Sequence, residues 1–305
     1  MIKKTMRNLT ALDVPGFAPE DTLLDADGMV YTGLRNDGKI LRINTKTEDV
    51  DIIAEPGGMP LGLEWLPDGR MLVCNASLGL QKIDIKTGAS EDLELHDTPL
   101  NVANNAAILP DGTIFVSDST TRYPLMQFRR DIIEDTKCGR LIRVSPEGKS
   151  EIILDGITFA NGVVVLPDES AVLVAETAKA RIHAVPLNGG EPRIFSAVPG
   201  LPDNLSIGTD GLIWLALPSR PNENLDRLHN APLFIRKLLA SLPDSLQPNE
   251  VPCCRVATFD SSGTHLHTYE GDVSIFSHVT GVREHHGKVY LGSIERGEIA
   301  WFDKE

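Results

Sequence analysis

A short unit recurs along the whole chain and limits its fold more than any other feature. The unit is a turn built on Asp-Gly or a near relative, followed by four to six β-forming residues. Its copies are Asp27-Gly28-Met-Val-Tyr-Thr-Gly33, Asp68-Gly69-Arg-Met-Leu-Val-Cys74, Asp111-Gly112-Thr-Ile-Phe-Val-Ser117, Asp168-Glu169-Ser-Ala-Val-Leu-Val-Ala175, Asp210-Gly211-Leu-Ile-Trp-Leu-Ala216 and His286-Gly287-Lys-Val-Tyr-Leu-Gly292. A second, more polar strand pair follows, as over 38–55, 79–95, 139–155, 181–197 and 255–270. Each unit therefore reads as a four-stranded antiparallel sheet with tight hairpin turns. Antiparallel units of about 40–50 residues, repeated several times, are the signature of a propeller, which leaves only short protected edges. The last unit is short, since only Gly297-Glu-Ile-Ala-Trp-Phe-Asp303 follows Gly292. The segment around Leu9–Val14 is expected to complete it and close the ring. Two stacked sandwiches, the other all-β solution, predict no such complementarity between the ends. The expectation is an all-β, six-bladed β-propeller forming one domain over residues 1–305.

Two spacings are too long for bare blades. Residues 119–138 hold Tyr123-Pro-Leu-Met-Gln-Phe-Arg-Arg-Asp-Ile-Ile-Glu134, and residues 219–252 hold Asn230-Ala-Pro-Leu-Phe-Ile-Arg-Lys-Leu-Leu-Ala-Ser241. Pro232 suits a helix start, and Phe234, Ile235, Leu238, Leu239 and Leu242 form an apolar stripe at helical spacing. Long insertions in compact folds are commonly lids or binding loops. A helix lying idly on the rim, or one touching a membrane, are the alternatives.

The 305 residues include 43 acidic against 29 basic ones, a formal net charge of −14. That balance argues against a nucleic-acid partner, whose binders concentrate Lys and Arg. No run approaches the roughly 20 apolar residues of a membrane span. The charged start lacks the apolar core of a secretory signal, so a cytoplasmic location is expected. Cys74, Cys138, Cys253 and Cys254 fit neither a zinc pattern nor a disulfide framework and read as buried thiols.

The informative polar residues stand where each blade begins. Glu20 precedes Leu23-Leu24, Asn104-Asn105 precede Ala106-Ala-Ile-Leu109, Asn161 precedes Gly162-Val-Val-Val165, and Asp203-Asn204 precede Leu205-Ser-Ile207. Taken singly, Asn161-Gly162 or Pro202-Asp203-Asn204 is a turn and Glu20 a solvated loop acid. Taken together they share one blade phase and converge on the central channel. Buried acids and amides are costly unless paired or bound to a metal, and no Lys or Arg recurs at that phase. Two carboxylates with amide oxygens form a hard donor set, suited to calcium or magnesium over zinc.

At these residues the chain resembles the calcium-dependent propeller superfamily of gluconolactonases, regucalcin (SMP-30), paraoxonases and strictosidine synthase-like proteins, with the strictosidine synthase-like branch nearest. The resemblance is carried by Phe159-Ala-Asn-Gly-Val-Val-Val-Leu-Pro-Asp168, Val174-Ala-Glu-Thr-Ala-Lys-Ala-Arg-Ile182, Pro199-Gly-Leu-Pro-Asp-Asn-Leu205 with Ile213-Trp-Leu-Ala-Leu217, and Ser277-His-Val-Thr-Gly-Val-Arg-Glu-His-His-Gly-Lys-Val-Tyr-Leu-Gly292. It implies that Glu20, Asn161 and Asp203 coordinate one divalent cation, calcium before magnesium, manganese or zinc. Asn104 would join directly or through water, and Asn204 is a further ligand candidate. It also implies a lactone or ester hydrolase in which the metal polarises the carbonyl and Asp203, or a water on the metal, supplies the attack.

Three departures narrow that reading. The arginine that sugar lactonases place two residues before the asparagine at 104 is Val102 here. The paraoxonase-type histidine would fall at Ala76. The glutamate of strictosidine synthase has no counterpart in Val279-Thr280-Gly281. His278 remains either an auxiliary acid/base facing the pore or a structural histidine. The leading expectation is a metal-dependent lactonase or esterase acting on a rather apolar small molecule. The alternatives are a non-hydrolytic synthase or isomerase using the same pore, and a binding propeller whose metal is structural.

Overall fold

The computed structural model of the chain describes residues 2–243, 247 and 251–305. Six antiparallel sheets follow one another along the sequence, each with its strands in order from the channel outward. Blade 1 runs from Leu23–Leu24 through Val30–Leu34 and Lys39–Asn44 to Asp49–Ala54, and blade 2 from Pro60–Trp65 to Ser90–Leu93. Blade 3 starts at Ala103–Ile108, blade 4 at Ala160–Val165, blade 5 at Leu205–Ile207 and blade 6 at Val279–His285. This is the six-bladed propeller expected from the repeat. Each repeated unit forms the second strand of its blade, and those strands are buried except for Lys288 at the start of Lys288–Ser293, as in Val30–Leu34, Met71–Asn75 and Ile114–Asp118. A strand covered on both faces cannot alternate, which is why the units are nearly continuous in apolar residues.

The ends of the chain are tied together more firmly than the sequence suggested. Arg7–Asp13 pairs antiparallel with Glu298–Asp303 and completes blade 6, as expected. Ile2–Thr5 also adds a fifth strand to blade 5, parallel to His265–Glu270, which nothing in the repeat predicts. One N-terminal ribbon thus spans two blades. The core lies between blades, in apolar layers such as Leu173, Leu215 and Phe259, or Trp214, Val282 and Phe302. Trp214 stacks on Tyr269 at 5.4 Å between ring centres. Fully burying a side chain such as Leu, Ile or Phe contributes roughly 1.5–3 kcal/mol, so these layers are the main source of stability.

The two long spacings hold helices α1 (Phe128–Glu134), α2 (Glu223–His229) and α3 (Leu233–Ala240). Asn222 caps α2, its side chain accepting from the Asn224 and Leu225 amides. Pro232 precedes α3, as expected, and the apolar stripe is partly covered: Ile235, Leu239 and Leu242 are half-buried, whereas Phe234 is 71% and Leu238 63% exposed. No disulfide joins the four cysteines; Cys74, Cys253 and Cys254 are buried, whereas Cys138 is only half-buried. Among the described residues no helix is long and apolar enough to cross a membrane.

Candidate cation site at the channel

The innermost strands of four blades share one irregularity. Pairing with the second strand breaks register between Pro60 and Leu63, between Ala103 and Ala106, between Ala160 and Val163, and between Val279 and Val282. Each break leaves two bulged residues, Leu61-Gly62, Asn104-Asn105, Asn161-Gly162 and Thr280-Gly281. Glu20-Asp21 and Asp203-Asn204 take the same place in blades 1 and 5: Glu20 N donates to Gly33 O at 3.2 Å and Asp203 N to Ala216 O at 3.0 Å. Bulges re-aim side chains. The expected site residues Glu20, Asn104, Asn161 and Asp203 are therefore all first members of bulge pairs, whereas Asn204 is a second member.

The second members lock the blades together. They alternate around the ring between a polar residue (Asp21, Asn105, Asn204) and glycine (Gly62, Gly162, Gly281). A Cβ on Gly162 would stand 2.6 Å from Asn204 Cα, one on Gly62 2.7 Å from Asn105 Cα, and one on Gly281 2.8 Å from Asp21 Cα. Only glycine admits these approaches. Two of the polar members in turn accept from the next blade: Asn105 Oδ1 takes Val163 N at 2.9 Å and Asp21 Oδ2 takes Leu63 N at 3.1 Å.

All five candidate ligands are buried, Glu20 at 2% and Asn204 at 1% exposure. Asn204 Nδ2 donates to Glu20 Oε1 at 3.2 Å and reaches Oε2 at 3.4 Å. Burial pushes the Glu20 carboxyl well above its ordinary range, and the carboxylates of Asp203 and Asp21 push it further against a weaker pull from Asn204 and Arg35. The amide oxygens of Asn104, Asn161 and Asn204 are buried and meet no hydrogen-bond donor among the described residues. Native interiors rarely leave such acceptors unsatisfied, and each costs about 1–3 kcal/mol. Among the described residues no group of three or more His, Cys, Asp and Glu side chains is gathered for a metal. The donors here are instead two carboxylates and amide oxygens, a set that fits a hard cation such as calcium.

Sequence reasoning missed charged neighbours of the site, the buried Asp21 among them and, facing it, an arginine. Arg283, three residues beyond Thr280, donates from Nε to Thr22 O at 3.0 Å, from Nη2 to Leu63 O at 3.2 Å and from Nη1 to Glu64 Oε2 at 3.2 Å. Its Nη2 also lies 3.9 Å from Asp21 Oδ2. No Lys or Arg stands at the bulge phase itself, but Arg283 faces Asp21 and Arg35 pulls weakly on Glu20. Burial still raises Asp21 above its ordinary range, with Arg283 opposing it. A search of the inner strands for arginine beyond the bulge phase would have found this residue.

Two residues ahead of each first bulge position stand Ala18, Met59, Val102, Phe159, Leu201 and His278. Met59, Val102, Phe159 and Leu201 pack in one apolar cluster with Leu125 and with Ile132 of α1 and Leu225 of α2, so the two insertions cover this ring. Val102, standing in place of an arginine, and Ala76, in place of a histidine, both belong to that cluster. Ala18, Phe159 and His278 share a left-handed backbone, with φ of 59°, 65° and 54°. His278 is the polar member of the ring. Its amide donates to Cys253 O at 3.0 Å and its Nδ1 lies 3.2 Å from Ser277 Oγ.

Comparison with known proteins agrees with this architecture. Residues 37–229 match the model of the SMP-30/gluconolactonase/LRE-like region, and residues 4–43 match the N-terminal model of strictosidine synthase-like proteins. An adipocyte plasma membrane-associated protein of Danio rerio is 31% identical, the alignment covering 93% of this chain and 75% of that one. A strictosidine synthase-like protein of Arabidopsis thaliana is 29% identical over 94% of this chain and 79% of its own. Among solved structures, a regucalcin from Agrobacterium tumefaciens, described as calcium-binding, superposes with a TM-score of 0.70 at 17% identity, covering 99% of this chain and 95% of that one. A gluconolactonase of Xanthomonas campestris also gives 0.70, at 16% identity, covering 97% and 89%. At such identities the structural likeness speaks for the fold.

Proposed function

The chain belongs to the SMP-30/gluconolactonase/LRE-like family, with its N-terminal segment of the strictosidine synthase-like kind, and on that footing we propose that it is a divalent-cation-dependent hydrolase of a lactone or carboxylic ester. The observation that carries this reading is the set of three buried amide oxygens without a donor among the described residues, in a channel that also buries Glu20 and Asp203. Glu20, Asn161 and Asp203 would hold the cation, calcium by the chemistry of the donors, with Asn104 and Asn204 completing the set. Bound there, the cation supplies Lewis-acid polarisation of the substrate carbonyl.

The residues of the chain do the remaining work. Asp203 accepts the proton of the attacking water as its oxygen bonds to the acyl carbon. The acyl C–O bond then breaks, and His278 hands a proton to the departing alkoxide, so a hydroxy acid (or an acid and an alcohol) leaves. The Asn204 amide holds the Glu20 carboxylate in place while Asp203 acts. Helices α1 and α2, with the turn ahead of α1, act as lids, excluding water above the site through Leu125, Ile132 and Leu225. The apolar ring they cover, with Val102 where a sugar lactonase carries arginine, favours an acyl or aryl substrate over a sugar lactone. The protein is proposed to work as one domain from the first blade to the last.

The test is turnover on a panel of alkyl and aryl lactones and esters. Activity should vanish with a chelator and return with calcium. A calcium-loaded protein inert across the panel would overturn the hydrolytic reading and leave a cation-stabilised binding propeller, or a synthase using His278.

A further inference from the structure

A cation site made of asparagines depends on which way each amide points, since only the oxygen end can ligate. Asn161 is set by one neighbour. Thr177 opens a single helical turn after the second strand of blade 4, and its amide donates to Phe159 O at 3.2 Å. The residue before it, Glu176, is buried and accepts from Thr158 N at 2.9 Å, Arg181 Nε at 2.6 Å and His183 Nε2 at 2.7 Å. Thr177 therefore stands on a fixed base. Its hydroxyl donates its one proton to Pro202 O at 2.8 Å, the carbonyl just ahead of Asp203. With that proton committed, the oxygen can only accept. It faces Asn161 Nδ2 at 3.4 Å, a long contact whose polarity is nonetheless unambiguous. Were the amide turned over, two acceptor oxygens would face each other. Asn161 Oδ1 is thereby left on the other side, buried and without a donor among the described residues.

We infer that Thr177 is a positioning residue for the cation site, selecting the oxygen face of Asn161 and steadying the segment that carries Asp203. One hydroxyl thus couples ligand candidates from blades 4 and 5. The inference rests on the cation reading given above, and the experiment separates the two. Calcium is titrated calorimetrically into the metal-free wild type, Thr177→Val and Thr177→Ser, and thermal unfolding in chelator checks that each variant is folded. Valine keeps the volume and removes both hydrogen bonds, whereas serine keeps the hydroxyl. Losing a group that orients a ligand typically weakens metal affinity about 10–100-fold. Thr177→Val should fall in that range, and Thr177→Ser should stay within roughly threefold of wild type, a rescue that a packing role for the methyl group would not give. Should valine fail to fold, Thr177→Ala carries the same expectation. Wild-type affinity in the valine or alanine variant, or an equal loss in valine and serine, overturns the role of the hydroxyl alone. A wild type that binds no calcium overturns the cation reading and this inference with it.

Discussion

Glu20→Gln separates the cost of the channel acids from their use. The substitution keeps the side-chain volume and an acceptor for Asn204 Nδ2, and removes one of the charges that burial, Asp203 and Asp21 disfavour. A carboxyl whose folded pKa is raised contributes stability that is fully present below its ordinary pKa and is lost as pH rises through the folded value. In chelator the wild type should therefore lose stability with rising pH above the usual glutamate range, by about 1.4 kcal/mol for each unit of elevation. Glu20→Gln should lose less, and be the more stable protein at pH 8. Calcium should reverse that order. Three unsatisfied amide oxygens together cost roughly 3–9 kcal/mol that a ligated cation can recover. Calcium at a hundredfold excess over its dissociation constant adds about 2.7 kcal/mol to the wild type, or about 5–10 °C in Tm at roughly 2–4 °C per kcal/mol. The variant should gain little. The assay is thermal unfolding of both proteins at several pH values, with chelator and with calcium. A variant that is weaker in chelator at pH 8 and responds to calcium like the wild type would refute the reasoning.

Removal of the proposed proton donor by His278→Gln should lower lactone or ester turnover about 10²–10⁴-fold while leaving calcium affinity within a few-fold of wild type, since His278 is not among the proposed ligands; unchanged turnover would make it structural. Arg283→Met strips Asp21 of its guanidinium, and removing one partner of a buried ion pair typically costs about 3–5 kcal/mol. Denaturant unfolding at neutral pH should show that loss, shrinking as pH falls and Asp21 takes up a proton; a variant as stable as wild type at neutral pH would show that the Asp21–Arg283 approach contributes nothing.

The propeller was legible because its cause is local and repeated. Every second strand is covered on both faces, so Val30–Leu34, Ile114–Asp118 and their counterparts must be apolar and must follow a tight turn. Glu20, Asn104, Asn161 and Asp203 were legible as candidates for the same reason, as polar residues recurring at one phase of that repeat, with Asn204 one residue on. What stayed hidden comes from contacts made once. The parallel pairing of Ile2–Thr5 with blade 5 has no repeated pattern behind it. Arg283 lies off the bulge phase, and its role follows from two other blades meeting it through Thr22, Leu63 and Glu64. Thr177 is an ordinary threonine until the fold brings Pro202 and Asn161 to its hydroxyl. The periodicity of the α3 stripe does not say what covers it, and Phe234 and Leu238 are exposed.

The central claim is that residues from blades 1, 3, 4 and 5 meet one cation in the channel. Its most direct test is an anomalous difference map from crystals grown with manganese, read beside a calcium-bound structure. The account predicts one peak in the channel, with oxygens of Glu20, Asn161 and Asp203 about 2.3–2.6 Å from the calcium. Saturating cation that leaves no peak there, or binds away from these three residues, would contradict it.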